Sequence, residues 1–406
     1  VIEAIVLFAA PTLTTEERWV LDHVEDLRAR LSARTREPRI WVGLLRRAAL
    51  ARAIQGSNSI EGYNASIEDA LAAVDDEGPV DARDEVWRAT TGYRDAMSYV
   101  LQLADDIHFE LDATLIRSLH YMLLSYDRTK SPGRWRSGPI YVRRDQDDEI
   151  VYAAPDAGLV PYLVGELVDQ LGSGVGRSPD ASTGGGMVEA AMAHLNLVMI
   201  HPFRDGNGRM ARVLQSMVLT RQGVLGPAFC SIEEYLGRNT PDYYAVLSEV
   251  GAGAWNPGND ARPWVRFCLT AHYRQARTLL RRGEEAERRW DAIDREVRRL
   301  GVHERSLSAL FNAALGYRIR NSTYRTLAED ISELVASRDL RALVEAGLLT
   351  PDGERRGRTY MASPALRAIE QSVRSPLTRD DTDPFAVARD ALKAGSLPIW
   401  PDSALR

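Results

Sequence analysis

Lysine is almost missing from this chain of 406 residues, occurring only at Lys130 and Lys393, so arginine carries nearly all the positive charge. Genomic base composition accounts for that bias, yet it has a chemical consequence. No Gly-x-x-x-x-Gly-Lys stretch exists, which excludes a P-loop as a phosphate site. Cysteine is equally scarce. Cys230 and Cys268 share no paired spacing and have no histidine cluster beside them. That argues against a zinc site or a disulfide framework and leads us to expect a reducing, cytoplasmic setting. Long apolar runs are missing as well. The stretch "VIEAIVLFAAPTL" is interrupted by Glu3 and follows no basic residues. It is also shorter than the ~20 residues of a membrane helix. It reads as a strand or an arm docked on the core, and no membrane contact is expected. Finally, positive charge is not in excess: a net charge of −6 argues against a protein that coats nucleic acid.

What is present is an ordinary folded composition, 45% hydrophobic and 27% charged, with length for two or three domains. The period is mainly helical. "TTEERWVLDHVEDLRARLSA" opens on threonine caps followed by acids, and "DARDEVWRATTGYRDAMSYVLQL" and "LDATLIRSLHYMLLSYD" repeat apolar residues at three and four. Two β-prone runs, Ile140–Val142 and Ile150–Tyr152, flank a polar turn and predict a hairpin. A loop is expected over Gly172–Gly186. "MVEAAMAHLNLVMI" is apolar nearly all round and predicts a buried central helix. "RRGEEAERRWDAIDREVRRL" alternates in sign and reads as a solvated connecting helix. From about Arg305 to Pro364 the pattern is helix, helix, glycine stop and two short extended pieces, as in a helix-turn-helix with a wing. The last forty or so residues read as partly disordered.

The buried helix leads directly into "HPFRDGNGRMAR", His201 to Arg212. Gly206 and Gly208 permit positive φ and remove bulk, so the amides around Asn207 can turn inward as an anion nest. A helix beginning here adds its dipole, and Arg209 and Arg212, three apart, share one face toward the same anion. Asp205 sets a carboxylate at the rim, where Mg²⁺ is held by one protein oxygen together with phosphate oxygens. His201, with an ordinary pKa near neutrality, is the nearby group suited to take a proton from a hydroxyl. The parts point to a polyphosphate, Mg²⁺ and a general base. His120 and His194 read as structural histidines of the core.

"HPFRDGNGRMAR" resembles the signature of the Fic family, H-x-F-x-D/E-G-N-G-R-x-x-R, at every defined position. The resemblance extends over roughly Leu101 to Arg274 through "RSLHYMLL", "PGRWR", the hairpin, "YLVGELVDQL", "IEEYLGRNTPDYYAVL" and "RPWVRFCL". It implies a mainly α fold: a Fic-type helical bundle with a β-hairpin flap, here with a C-terminal winged-helix domain. It also implies transfer of AMP from ATP to a Ser, Thr or Tyr hydroxyl of a target protein. Carried over, His201 deprotonates the hydroxyl, Phe203 anchors the loop and Asp205 binds Mg²⁺. Gly206, Asn207 and Gly208 form the anion hole, with Asn207 helping to place the α-phosphate, and Arg209 and Arg212 hold the outer phosphates. Tyr235, Asn239, Tyr243 and Tyr244 border the base. The hairpin over residues 139–154 corresponds to the flap on which a target docks as an added strand.

A second stretch, "SNSIEGYN", puts Ser57 and Glu61 four apart on a helix that Gly62 can end. Alone it is an ordinary capped helix. Beside the signature it resembles the family's inhibitory helix, S/T-x-x-x-E-G/N, which implies that Glu61 pairs with Arg212 and brakes the enzyme in cis. The reverse reaction, with Glu61 activating a water that releases AMP from a modified protein, stays open. So does a DNA-binding regulator that contacts phosphates through Arg338, Arg341, Arg355, Arg356 and Arg358, although interleaved acids leave that segment nearly neutral. The expected division is an N-terminal helical region with the inhibitory helix (1–100), a Fic domain (101–275) and a connecting helix (276–300). A winged helix for DNA or protein contact (301–365) and a tail (366–406) follow. Oligomeric state is left open, a homodimer included.

Overall fold

Thr14 starts the first helix, α1 (Thr15–Arg34). Its hydroxyl accepts the Glu17 amide at 3.2 Å while the Glu17 carboxylate accepts the Thr14 amide at 2.9 Å, a closed capping box. The computed structural model describes residues 6–36, 39–103, 106, 108–143, 148–174, 185–223, 231–354, 358–375 and 381–394. Helices dominate them. α2 (Ile40–Ile60), α3 (Ile67–Val74), α4 (Asp84–Gln102) and α5 (Ala113–Leu124) precede a hairpin of β1 (Tyr141–Arg143) and β2 (Ile150–Ala153). α6 (Val160–Gly174), α7 (Gly185–Ile200), α8 (Asn207–Arg221), α9 (Glu233–Arg238) and α10 (Thr240–Gly251) follow. The hairpin is antiparallel, with Tyr141 opposite Ala153 and Val142 opposite Tyr152. A short third strand, β3 (Gly253–Ala254), joins β2 in parallel, an addition that its two residues could not signal in sequence. The turn residues 144–147, most of the glycine-rich loop (175–184) and Cys230 lie outside the described residues.

As its composition predicts, α7 is enclosed almost all round, with α8 packed beside it. The arm before α1 docks on it without forming a strand among its described residues. The Phe8 ring is fully buried, and its backbone exchanges hydrogen bonds of 2.8 and 3.1 Å with the Asn196 side chain. α2 reaches α9 at glycines: a Cβ on Gly237 would lie 2.6 Å from the Gly56 carbonyl oxygen. That close approach fixes the helix that ends at Glu61.

One expectation is corrected. The sign-alternating segment is the second half of one 39-residue helix, α11 (Arg262–Leu300), and it is not solvated all round. Leu279, Leu280, Gly283, Ala286, Ile293 and Val297 form a buried stripe beneath the charges. The tail also holds helices. Ser363 caps α15 (Pro364–Val373) and Asp383 caps α16 (Pro384–Lys393), each with proline in its first turn. Phe385 of α16 is buried, and the Arg266 guanidinium sits 3.7 Å from its ring centre. The divisions expected at 100/101, 275/276 and 365/366 therefore cut through α4, α11 and α15.

Between α11 and α15 come α12 (Leu307–Ala314), α13 (Asn321–Leu327) and α14 (Glu333–Glu345), then an antiparallel hairpin of β4 (Leu349–Asp352) and β5 (Thr359–Ala362). Gly347, at φ +74°, is the glycine stop after α14. This is the element order expected of a winged helix; Arg355 and Arg356 lie outside the described residues. Its core is shared: Trp41 and Leu45 of α2 and Ala286 and Ile293 of α11 pack with Leu310, Phe311 and Leu340. Among the described residues no helix is long and apolar enough to cross a membrane.

Candidate active site

The signature occupies the turn between α7 and α8. At the end of α7 the carbonyls need partners, and the chain supplies them from the flap side. The Tyr152 hydroxyl donates to Met199 O at 2.8 Å, and the Arg136 guanidinium donates to His201 O at 2.8 Å and Pro155 O at 2.6 Å. This grip holds His201 in the left-handed region at φ +51°, a conformation that a residue with a Cβ rarely adopts. Below the loop, buried Phe203 stacks on His120 with ring centres 3.6 Å apart and planes 3° from parallel.

His120 also ties the loop by hydrogen bonds. Its Nδ1 accepts the Gly133 amide at 2.9 Å, so its Nε2 carries the proton that goes to Asp205 O at 2.9 Å. That pair of bonds requires a neutral ring, and burial above all lowers its pKa to about 4. Asn207 closes the turn from inside. Its Oδ1 accepts the Phe203 amide and its Nδ2 donates to Phe203 O, both at 2.9 Å. Asn207 therefore positions the loop with both groups of its side chain.

Gly206 is left-handed at φ +76° and precedes α8, whose first amides have no partner within the helix. Gly208 is already helical, so the expectation of positive φ there is corrected: what it supplies is room. A Cβ on Gly208 would lie 2.5 Å from the Glu61 carboxylate and 3.2 Å from Arg212 Nη1. Arg209 and Arg212 face the nest from α8 as their spacing predicts, both almost fully buried. Arg209 Nε and Arg212 Nη1 are buried without a hydrogen-bond partner among the described residues. Two buried, unsatisfied guanidinium nitrogens beside free helix amides suit an anion of several oxygens.

One anion is already there. The Glu61 carboxylate accepts Arg212 Nη2 at 2.7 Å, while Arg212 Nε donates to Ser57 Oγ at 2.7 Å. Glu61 directly follows α2, and Gly62 turns the chain away at φ +81°. Burial opposes the Arg212 charge, but Glu61 outweighs it and the pKa is raised.

His201 Nδ1 donates to Val198 O at 3.1 Å, which leaves Nε2 as the basic nitrogen. Burial, assisted by the Arg136 charge, lowers its pKa, so the ring is neutral at pH 7. Asp205 lies at the rim, its Oδ1 accepting the Gly206 amide at 2.6 Å and its Oδ2 meeting Lys130 Nζ at 2.9 Å. Lys130 donates in turn to the Tyr63 hydroxyl at 2.8 Å. A cation thus already sits on the carboxylate that the sequence assigns to Mg²⁺. A single carboxylate fits a metal whose other ligands are waters and phosphates, and no cluster of three or more metal-binding side chains occurs among the described residues.

The expected base-binding tyrosines separate. Tyr243 is enclosed, and its hydroxyl donates to His194 Nε2 at 3.0 Å. Tyr244 is about half exposed, with its hydroxyl donating to Ile60 O at 3.3 Å, so it alone of the two presents surface. Asn239 bonds the Tyr235 carbonyl at 2.8 Å. Sequence reasoning missed Tyr63, Tyr126, Lys130 and Arg136, and it left His120 as a core residue. The rarity of lysine was the one signal for Lys130. Tyr126 supports Arg209 at 3.3 Å, and the Tyr63 ring lies 5.0 Å from the Arg209 guanidinium.

The Fic/DOC family model matches residues 110–219, which run from just before α5 to the last turn of α8. Over 160 residues the chain is 29% identical to protein adenylyltransferase fic-1 of Caenorhabditis briggsae, a match covering 39% of this chain and 27% of that protein. Over 215 residues it is 27% identical to protein adenylyltransferase Fic of Nematostella vectensis, covering 53% and 45%. The chain spans less than half the length of these curated relatives. A Fic family protein from Desulfovibrio desulfuricans G20, 21% identical, shares the fold with a TM-score of 0.54 over 87% of this chain and 98% of that one. With its mainly helical fold and the signature at the turn between α7 and α8, this chain carries a Fic/DOC family domain over residues 110–219.

Proposed function

We propose that the protein transfers AMP from ATP to a hydroxyl of a target protein and that Glu61 holds it in an inhibited state. The observation that carries the reading is the anion at the nest: a carboxylate bonds Arg212 where a phosphate would. With Glu61 withdrawn, the α8 amides, Arg209 and Arg212 are the groups that would take the triphosphate. Neutral His201 takes the proton of the target hydroxyl at Nε2 as that oxygen bonds to the α-phosphorus and pyrophosphate leaves. Asp205 would hold Mg²⁺, which neutralises phosphate charge when bound, and Lys130 must then leave its oxygen. The flap supports a docking role. β1 is the edge of its sheet, and Tyr141 on β1 and Ile150 on β2 expose apolar surface on the flap. The winged-helix segment is read as an accessory contact module in a cytoplasmic enzyme.

The test is incorporation of label from α-³²P-ATP and, in parallel, γ-³²P-ATP by the Glu61→Gly protein and a lysate. Label from the α position alone supports AMP transfer. Label from the γ position would instead make the protein a phosphotransferase. Release of AMP from modified protein with no incorporation would make removal its reaction.

A further inference from the structure

A cavity of about 500 Å³ lies away from the nest, between α2, α11, α12, β5 and α15. Its size falls within the range of small-molecule sites, roughly 300–1,000 Å³. Part of its wall is apolar, with Leu45, Ala48, Leu279, Ala286 and Phe311 lining it. The rest is strongly basic. Seven arginines line it, against the two glutamates Glu285 and Glu370.

The ion pairs do not balance these charges. Arg282 forks onto Glu234 with two bonds of 2.7 Å, and Arg238 reaches the same carboxylate at 2.7 Å. Arg289 pairs with Glu370, and Arg281 meets Glu285 at 3.2 Å. Three carboxylates, Glu234 included, therefore pair with four of the seven guanidinium groups. Arg52, Arg367 and Arg374 have no carboxylate partner among the described residues; Arg52 donates to the Tyr317 hydroxyl at 2.8 Å. Guanidinium groups concentrated beside apolar surface repel one another, and an anion between them removes that cost. Their planar forks match phosphate oxygens in pairs.

We propose that this cavity binds an organic phosphate, a small molecule with an apolar body and one phosphate group, separately from the AMP-transfer site. The cavity is also connected to that site. Ala48, Ala49 and Arg52 of α2 line it, and the same helix leads to Glu61 about 20 Å away at a rise of ~1.5 Å per residue. An occupant therefore bears on the helix that carries the carboxylate. This second part rests on the proposed role of Glu61, whereas binding itself does not.

Calorimetric titration of the full chain with 1-naphthyl phosphate tests the site. One molecule bound per chain is expected, with 1-naphthol and inorganic phosphate at least ten-fold weaker. Arg367→Glu with Arg374→Glu, two exposed positions on and just after α15, should weaken binding at least ten-fold with an unchanged melting temperature. Arg212→Gln should leave the affinity as it is. No binding, equal affinity in the double variant, or loss in Arg212→Gln alone would overturn the site. The connection is read separately: 1-naphthyl phosphate should change the AMP-transfer rate of the wild type and not that of Glu61→Gly. A wild-type rate left unchanged at saturation would overturn the connection, while the titration judges the site.

Discussion

Replacing Glu61 by glycine removes one charge-assisted hydrogen bond, the 2.7 Å contact with Arg212 Nη2. A bond of that kind contributes about 1.5–3 kcal/mol. If a phosphate must displace it, the braked enzyme loses that free energy of productive binding. At about 1.4 kcal/mol per factor of ten, Glu61→Gly should raise AMP transfer about 10- to 150-fold. The same substitution leaves the Arg212 side chain, fully buried, without its counter-charge. The free protein should therefore lose stability, by about 3–5 kcal/mol at most, because both Ser57 bonds remain. Addition of ATP should restore much of the loss. Glu61→Gln separates charge from shape: the charged guanidinium can still donate to the amide oxygen but faces no carboxylate, so the rate should fall between the two on a logarithmic scale. The assay is the initial rate of labelled AMP incorporation at ATP well below half-saturation, where the rate reports productive binding, alongside thermal melts with and without nucleotide. A folded Glu61→Gly protein that transfers at the wild-type rate would refute the brake.

Three further outcomes are expected. Gly56→Ala would push a methyl group into the backbone of α9, so it should lower stability by about 1–3 kcal/mol and raise basal transfer by loosening α2; a thermal melt and the rate assay check both. Lys130→Met frees the Asp205 carboxylate and should lower the Mn²⁺ concentration for half-maximal binding in the presence of ATP by several-fold, read by electron paramagnetic resonance; an unchanged value contradicts the arrangement. Stability should fall between pH 7.5 and pH 4.5, read by denaturant titration. His120 and His194, with pKa lowered chiefly by burial to about 4 and about 3, stay neutral when folded but bind protons when unfolded below pH 6.5. Their contribution is complete above pH 6.5 and is lost as pH falls toward those values, about 3 kcal/mol each by pH 4.5.

The nest was legible because its chemistry is contiguous: twelve residues hold the histidine, the carboxylate, the glycines and both arginines. Glu61 was legible for the same reason, since Ser57, Glu61 and Gly62 share one helix end. What holds the loop was not. His120 reaches Asp205 O from 85 positions away, and Arg136 reaches His201 O from 65. Bonds to backbone carbonyls leave no pattern in the residues that accept them. The buried stripe of α11 escaped notice because Arg and Glu fill the positions between its apolar residues, so charge alternation dominated the reading. Gly208 was identified, but its need for space only emerges once the Glu61 carboxylate is beside it. Tyr243 and Tyr244 are adjacent in sequence, and nothing local says which faces His194 and which faces solvent.

Nucleotide binding by the loop and proton transfer by His201 are separable steps of the proposed reaction. Both can be measured on one variant, His201→Ala in a Glu61→Gly background, by calorimetric ATP affinity and single-turnover AMP transfer. ATP should bind within about three-fold of the parent, with transfer slowed by about 10²–10⁴. Undiminished transfer with ATP bound would contradict that role of His201.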